Sequence, residues 1–298
     1  MAADDTKGVT LADWRNAARK FTHGEHVIAC WLGGNATRRP LLLLHGFPTA
    51  SHDWAAVWDG LGHRHGLIAA DMLGFGLSDK PKGGFAGSGY SIHGQADMQE
   101  ALLAHLGIGE YDILAHDYGV SVAQEMLARQ LEGSGAGGLG QIVFLNGGLF
   151  PDQHRLRPIQ RLGTSRLGPL VSRGLTSKKF GKSFSEVFGP RTQPSAQELD
   201  DYWWLITRKG GHRLFHKLLH YIADRKAYEA RWVGALKTAP ERIGYINGAL
   251  DPVSGKHSYE AWRARLPGAR HRLLPGVGHY PQIEAPKAVI DSTLEWLN

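Results

Sequence analysis

The sequence has few of the features that would place it in several common protein classes. Its one cysteine, Cys30, excludes an internal disulfide and a cysteine-based zinc site. No apolar run approaches the roughly 18 residues of a membrane-spanning helix. The first residues are acidic where a signal peptide would be basic, and no Gly-x-Gly-x-x-Gly motif follows an apolar run. We therefore expect a cytoplasmic protein with no membrane association and no cofactor.

The surplus of positive charge does not form a nucleic-acid-binding pattern. The 298 residues include 34 lysines and arginines and 28 aspartates and glutamates, which gives a net charge of +6 with neutral histidines. The densest basic stretch, Lys178 and Lys179 with Lys182, lacks the interleaved aromatic side chains of a nucleic-acid surface. We expect a solvated face there and no nucleic-acid partner. The oligomeric state, monomer or homodimer, stays open.

Short apolar runs alternate with helix-like stretches over residues 1–150, which is typical of an α/β protein with a mostly parallel sheet. The pattern predicts strands at 27–31, 41–44, 67–70, 112–115, 141–145, 242–247 and 271–274. It predicts helices at 51–61, 91–106, 120–131 and 286–296, and glycine-rich loops at 83–89 and 133–140.

Residues 151–239 differ from the rest of the chain. They are basic, aromatic and helix-like, and they contain no convincing strand. Because strands are predicted on both sides of this segment, both flanks are needed to complete one sheet. We therefore predict an α/β core of residues 1–150 and 240–298, with a helical cap (lid) of residues 151–239 inserted into it.

The junction around Asp117 carries the sharpest chemical signal. An apolar run ends at Ala115, and a helix-like stretch begins after Gly119 in the sequence ILAHDYGVS at 113–121. Small residues on both sides of position 117 match a nucleophile elbow, a tight strand-to-helix turn that exposes one side chain. Aspartate stands here where esterases hold serine. The alternative is that Asp117 caps the following helix, and this segment alone does not decide between the two.

Three further motifs follow predicted strands, and two of them, with Asp251 and His279, come after Asp117 in the order nucleophile, acid, histidine. HGFP at 45–48 follows an apolar run, Asp251 follows another, and His279 follows the last. Backbone amides of Phe47 and Tyr118 would form an oxyanion hole beside Asp117. Each motif alone could be an ordinary turn. Together they predict that Asp117, Asp251 and His279 are catalytic.

With these motifs the chain resembles the α/β-hydrolase-fold superfamily, in the aspartate-nucleophile branch of epoxide hydrolases and haloalkane dehalogenases. The resemblance is carried by HGFP at 45–48, DMLGFGLSDKP at 71–81 and GHYP at 278–281. More narrowly, the chain is similar to the group of the mesoderm-specific transcript protein and its bacterial relatives, through HDYG at 116–119, NGGLFP at 146–151 and RWVGAL at 231–236. The resemblance implies a mostly parallel sheet flanked by helices, with an inserted helical cap.

An aspartate at the elbow changes the class of reaction. A carboxylate is ionised at neutral pH and needs no base before it attacks. By displacing a leaving group from a saturated carbon, Asp117 would form an alkyl ester. His279, oriented by Asp251, would then activate the water that hydrolyses this ester. We therefore predict hydrolysis of an epoxide to a vicinal diol.

Opening an epoxide requires a proton donor, because an alkoxide is a poor leaving group. The resemblance implies two cap tyrosines for this task, the second about thirty residues before the acid. Tyr221 stands thirty residues before Asp251, although it could also be a packed cap residue. No tyrosine occurs at the other expected place, between residues 151 and 180. His154 is the best polar candidate there, with a role in the hinge as the alternative.

Two other functions remain open from the sequence. A haloalkane dehalogenase would use the same triad but needs N–H donors for the halide, and Tyr118 follows the nucleophile where a tryptophan is usual; Trp203 and Trp204 could contribute. A non-catalytic ligand-binding protein of this fold is the second alternative. It is less favoured because all three triad positions are occupied.

The substrate is expected to be small and hydrophobic, with water as the second reactant. Apolar residues of the cap segment are available to line its pocket, namely Trp203, Trp204, Phe215 and Leu218. His212, His216 and His220 recur every four residues and would share one helical face. Because no carboxylate joins them, we predict a polar cap face and no metal site.

Overall fold

The computed structural model describes residues 9–297, and an eight-stranded sheet forms the centre of that part of the chain. The strands are β1 Arg19–His23, β2 His26–Gly34, β3 Pro40–Leu44, β4 Gly66–Ala70, β5 Glu110–Ala115, β6 Gly138–Phe144, β7 Ile243–Gly248 and β8 Arg270–Leu274. Their order across the sheet is β1-β2-β4-β3-β5-β6-β7-β8. The expected α/β-hydrolase architecture, a mostly parallel sheet flanked by helices, is confirmed.

The direction of the strands brings the three predicted triad residues to one edge of the sheet. β2 pairs antiparallel with β1 and β4, whereas all pairings from β4 across to β8 are parallel. Parallel strands bring their carboxyl ends to one edge of a sheet. Asp117, Asp251 and His279 follow β5, β7 and β8, so all three lie at that edge.

Helices cover the sheet and fill the long connection between β6 and β7. They are α1 Leu11–Asn16, α2 Ala55–Gly62, α3 Ile92–His105, α4 Tyr118–Glu132, α5 Pro158–Gly163, α6 Gly168–Arg173, α7 Ser177–Ser185, α8 Ala196–Thr207, α9 Phe215–Leu218, α10 Tyr221–Ala227, α11 Glu229–Thr238, α12 Lys256–Arg265, α13 Pro281–Glu284 and α14 Pro286–Trp296. α4 contacts α3 and α11, and α14 contacts α2.

The central strands form from the most apolar parts of the sequence. In β3, the four leucines at 41–44 are all fully buried, because side chains on both faces of a central parallel strand are covered. β1 was absent from the predicted strands. It is an edge strand in which only Phe21 is buried, and exposed Arg19 and Lys20 mark its outer side.

Two sequence predictions need correction. The loop predicted at 133–140 is shorter, because β6 already begins at Gly138 and pairs with β5. The histidines predicted to share one helical face lie in separate short elements, because no continuous helix runs through residues 212–220. His212 lies in a 3₁₀ segment, His216 in α9, and His220 precedes α10.

Residues 151–239, here named the cap segment, contain helices and no strand in the structure. The segment connects β6 to β7, which are neighbours in the sheet. We interpret it as a cap inserted into the core, as the sequence predicts. Across residues 9–297, none of the helices combines the length and the apolar character needed to cross a membrane.

Candidate active site

Asp117 occupies a strained turn between β5 and α4. Its backbone adopts φ 43° and ψ −99°, a region that residues other than glycine rarely occupy and that costs on the order of 1–3 kcal/mol. The Asp117 amide donates to the Asn146 carbonyl at 2.8 Å, which ties the turn to the end of β6. The side chain makes no capping hydrogen bond to α4. The helix-cap alternative for Asp117 is therefore wrong.

The loop after β3 supplies a backbone donor to the Asp117 carboxylate. The Phe47 amide donates to Oδ2 of Asp117 at 3.1 Å, and Asp117 is only 5% exposed. The Tyr118 amide opens α4 directly after this turn, as an oxyanion hole would require. Of the two carboxylate oxygens, Oδ2 is thus the one that the Phe47 amide holds.

Two glycines permit this close approach. A Cβ on Gly46 would lie 2.6 Å from Nδ1 of His116 and 3.0 Å from Cβ of Asp117. A Cβ on Gly119 would lie 2.3 Å from the Leu44 carbonyl oxygen. A side chain at either position would push the β3 loop away from the Asp117 turn and break the Phe47 contact.

His279 and Asp251 form a buried ion pair at the same edge of the sheet. Nδ1 of His279 lies 2.8 Å from Oδ2 of Asp251. Asp251 also accepts from the Ser254 hydroxyl at 2.6 Å and from the Val253 amide at 2.7 Å. Burial disfavours the charge on Asp251, but His279 and these hydrogen bonds outweigh it and hold the pKa of Asp251 below its usual range.

The electrostatics of His279 suit a histidine that gains and loses a proton. Burial alone would lower its pKa, but the charge and the hydrogen bond of Asp251 outweigh burial, Asp117 adds to them, and the pKa rises to about 9. With Nδ1 bound to Asp251, Nε2 is the nitrogen left for proton transfer. The His279 amide donates to the Val187 carbonyl at 2.8 Å, so the cap segment holds the loop that carries this histidine.

Tyr221, at the start of α10, lies over the Asp117 turn. Its fully buried ring meets the Tyr118 ring edge-on at a centroid distance of 5.2 Å and lies 6.2 Å from the Phe47 ring. Its hydroxyl accepts from Nε2 of Gln160 at 3.3 Å. Burial, together with the charge of Asp117, raises the pKa of Tyr221, so the phenol stays protonated at neutral pH.

His154 lies next to Tyr221, directly after the 3₁₀ turn Pro151–Gln153. The two rings are nearly parallel with centroids 6.5 Å apart. Burial and the nearby charge of Arg225 lower the pKa of His154 to about 3, so its imidazole is neutral at physiological pH. Its Nε2 is buried and has no hydrogen-bond partner within residues 9–297.

Arg225 is a site residue that the sequence reasoning missed. It is 1% exposed, and its Nη2 donates to the Asp117 carbonyl oxygen at 2.8 Å and lies 3.8 Å from Oδ1 of Asp117. Its Nε donates to the Ser121 hydroxyl at 2.7 Å. Arg225 follows Tyr221 by four residues, which places both side chains on one face of α10. This spacing was the signal in the sequence that could have identified Arg225.

Asn146 is the second missed residue. Its Nδ2 donates to Oδ2 of Asp251 at 2.9 Å and to the Gly248 carbonyl at 3.0 Å, while its Oδ1 accepts from the Gly248 amide at 2.6 Å. It therefore joins the ends of β6 and β7 and orients Asp251. A polar residue directly after the apolar run of β6 was the signal in the sequence.

Comparison with known proteins shows the family to which the chain belongs. A model described as the alpha/beta hydrolase family matches residues 41–292. The chain belongs to the alpha/beta hydrolase family. It is 38% identical to the human mesoderm-specific transcript homolog protein, over 97% of this chain and 88% of that protein. It is 39% identical to LipZ of Mycobacterium tuberculosis, which is named as a hydrolase, over 97% of this chain and 98% of LipZ.

Solved structures confirm the fold of this alpha/beta hydrolase. An epoxide hydrolase, CorEH, superposes with a TM-score of 0.73 at 18% identity, covering 94% of this chain and 97% of CorEH. A variant of the haloalkane dehalogenase DbeA from Bradyrhizobium elkanii superposes with a TM-score of 0.75 at 20% identity, covering 94% and 95%. At these identities the likeness concerns the fold alone.

The predicted pocket residues of this alpha/beta hydrolase fall into two groups. The Phe215 ring lies 5.0 Å from the Phe47 ring, and Leu218 is fully buried beside Gly74. Trp203 contacts the rings of Phe180 and His212. Trp204 contacts the guanidinium groups of Arg15 and Arg208. These contacts do not bring either indole next to Asp117, and the place of Trp203 and Trp204 in the pocket stays a prediction.

Proposed function

We propose that this alpha/beta hydrolase converts an epoxide into a vicinal diol through a covalent ester on Asp117. The observation that carries the proposal is a carboxylate in the strained turn, with one oxygen held by the Phe47 amide. The buried His279–Asp251 pair at the same edge of the sheet supports it. A carboxylate in place of a serine favours attack on saturated carbon over attack on ordinary esters.

In the first half-reaction, Oδ1 of Asp117 attacks one carbon of the epoxide ring. The new carbon–oxygen bond forms as the ring bond breaks, and the electron pair goes to the ring oxygen. That oxygen needs a proton or a strong hydrogen bond, because a free alkoxide is a poor leaving group. Tyr221 is protonated and lies over the turn, and the neutral His154 beside it is the candidate for a second donor.

In the second half-reaction, the roles of the charges change. Esterification removes the negative charge of Asp117, which helps to raise the pKa of His279 in the free protein. The pKa of His279 therefore falls once the ester has formed, and the imidazole releases its proton to solvent while the phenolate of Tyr221 regains one. The neutral imidazole then accepts a proton from water, and the resulting hydroxide attacks the ester carbonyl, where the amides of Phe47 and Tyr118 hold the oxyanion, an effect of order 10²-fold or more per donor. As the tetrahedral intermediate collapses, the bond between the Asp117 carbonyl carbon and the diol oxygen breaks, and the protonated His279 gives its proton to that oxygen.

A substrate panel tests the proposal directly. We expect the purified protein to convert aryl and alkyl epoxides to diols, measured by chromatography, and to release little halide from matched bromoalkanes and chloroalkanes. Halide release is disfavoured because Tyr118 follows Asp117 and the described contacts of Trp203 and Trp204 lie elsewhere. Release of halide without formation of diol would support dehalogenation in place of epoxide hydrolysis. Turnover of neither class of substrate would contradict the proposal.

The ring-opening donor is tested by Tyr221→Phe. Loss of the phenolic proton is expected to slow ester formation with an epoxide by about 10²-fold, within the usual range for general acid catalysis. Rapid-mixing measurements of ester formation isolate this step from hydrolysis. Tyr228→Phe is the matched control, since the Tyr228 ring stacks on Trp232 of the cap segment and contacts His93 of α3, away from Asp117. An unchanged rate in Tyr221→Phe would remove this tyrosine from the donor role.

A further inference from the structure

Arg225 has hydrogen-bonding capacity that its described neighbours do not use. A guanidinium has five N–H donors, and the hydrogen bonds given above engage only Nε and Nη2. Nη1 is buried, and no acceptor within residues 9–297 lies at hydrogen-bonding geometry to it, while Cζ of the guanidinium lies 4.5 Å from the centroid of the Tyr221 ring. Burying a cation that is incompletely paired is costly. An unpaired N–H of a buried arginine beside the reacting carboxylate therefore points to a ligand.

A small cavity adjoins Arg225. Its volume is about 140 Å³, and it is lined by Pro151, His154, Leu156, Ile222, Arg225 and Lys226. Two of these residues, His154 and Arg225, each have a buried side-chain nitrogen without a partner, and Lys226 adds a second cation. At about 30 Å³ for each water molecule, the cavity holds roughly five atoms the size of oxygen. It fits a small acceptor group and not a bulky one.

The charge of the chain is divided unequally between the cap segment and the rest. Residues 151–239 contain 17 lysines and arginines and 7 aspartates and glutamates, a formal charge of +10. The remaining residues contain 17 lysines and arginines and 21 aspartates and glutamates, a formal charge of −4. The segment that lies over Asp117 thus carries more than the whole positive surplus of the protein. A field of this sign attracts anions and speeds their encounter with the site.

We propose that the substrate carries a carboxylate, which Arg225 binds through Nη1 in this cavity while the reactive carbon faces Oδ1 of Asp117. A carboxylate matches the planar guanidinium and has two oxygens for the two unpaired nitrogens. Nη2 of Arg225 lies 3.8 Å from Oδ1 of Asp117, so a carboxylate bound to Nη1 lies across the guanidinium from the reacting oxygen. The substrate class is then an epoxy acid with the ring next to, or one carbon from, the carboxylate.

The same arrangement balances charge during the reaction. Before attack, the positive Arg225 lies between the negative Asp117 and the substrate carboxylate and reduces their repulsion. After attack, Asp117 is a neutral ester, and the carboxylate remains as the counter-charge of the buried guanidinium. A neutral substrate would leave Arg225 without a carboxylate partner in place of Asp117 at that stage. This balance of charge rests on the proposed epoxide hydrolysis, whereas carboxylate binding by Arg225 does not.

Carboxylate binding is measured without turnover. Calorimetric titration of the unmodified protein with 3-phenylpropanoate and with 3-phenylpropanamide, which have nearly the same shape, compares the charged group with its neutral counterpart. We expect the acid to bind about 10- to 100-fold more tightly, as charge-assisted hydrogen bonds give. Equal binding of the two ligands to the unmodified protein would overturn the proposal, whatever the behaviour of any variant.

Variants locate the interaction. Arg225→Met should bind the acid and the amide equally, and Arg225→Lys, which keeps the charge but not the fork of donors, should retain part of the preference. Arg173→Met is the matched control, because Arg173 is an exposed cap arginine at the end of α6. It should keep the full preference. A preference lost equally in Arg173→Met and Arg225→Met would assign it to the general field of the cap and contradict a specific site.

Kinetics separate this inference from the proposed function. With 3-phenyl-2,3-epoxypropanoate and its amide, we expect kcat/KM to favour the acid by about 10-fold or more, through KM. Turnover of both at equal kcat/KM would contradict the carboxylate site and leave epoxide hydrolysis standing. Turnover of neither, together with selective binding of 3-phenylpropanoate, would contradict epoxide hydrolysis and leave the carboxylate site standing.

Discussion

Replacing Asp117 with asparagine is expected to lower epoxide turnover by a factor of about 10⁴ or more, comparable to losing the nucleophile in other hydrolases with a covalent intermediate. An amide has no free carboxylate oxygen with which to attack carbon. Asparagine tolerates positive φ better than most residues, so the turn at position 117 should still form. Steady-state diol formation measures the effect, and the thermal midpoint should stay close to that of the unmodified protein.

The matched control for this variant is Asp97→Asn. Asp97 is a partly exposed aspartate that pairs with Arg129 away from the site, and its loss should leave turnover within a factor of about two, as for most surface ion pairs. If Asp117→Asn kept a tenth or more of the activity, attack by this carboxylate would be excluded. Water would then have to open the substrate directly.

Replacing His279 with glutamine is expected to trap the ester, which accumulates because the step that destroys it has lost its base. Turnover should fall by about 10²- to 10⁴-fold, the usual range for a positioned general base. Ester formation should continue, since attack by Asp117 needs no base. Mass spectrometry of the digested protein should find the peptide containing Asp117 heavier by one substrate molecule.

Two controls make the trapping experiment specific. The double variant Asp117→Asn with His279→Gln should gain no mass, which assigns the adduct to the carboxylate. In a single turnover of the unmodified protein in ¹⁸O-water, label should enter the Asp117 carboxylate. Water attacks the carbonyl carbon of the ester, so its oxygen remains on Asp117 after the diol has left. Label found only in the diol would exclude the covalent ester, and normal turnover by His279→Gln would exclude this histidine as the base.

The sequence predicts the positions of Asp117, Asp251 and His279 well because each follows a strand whose apolar run is long enough to recognise. Parallel strands end at a common edge, so the order of strand ends along the chain also brings the side chains together. Phe47 is predicted for the same reason, as it follows β3. These are local patterns joined by one topological rule, and no long-range packing has to be known to find them.

The cap segment is less predictable because its contacts depend on packing between distant parts of the chain. The sequence does not reveal that Trp203 packs against Phe180 and Trp204 against Arg15. Arg225 looks like a solvated arginine in a basic segment, and only the fold shows it buried against Asp117. Asn146 needs the pairing of β6 with β7 before its contact with Asp251 becomes visible.

Two hydrogen bonds that cross between the cap segment and the sheet restrict how this protein can be recombined with its relatives. Arg225 holds the carbonyl of Asp117, and the Val187 carbonyl holds the amide of His279. A chimaera that received the whole cap of another hydrolase would keep the first attachment only if that cap carries an arginine at the position of Arg225, and the second only if its backbone follows the path of Val187. We therefore expect single substitutions in the existing cap segment to disturb the positions of Asp117 and His279 less than exchange of the whole segment.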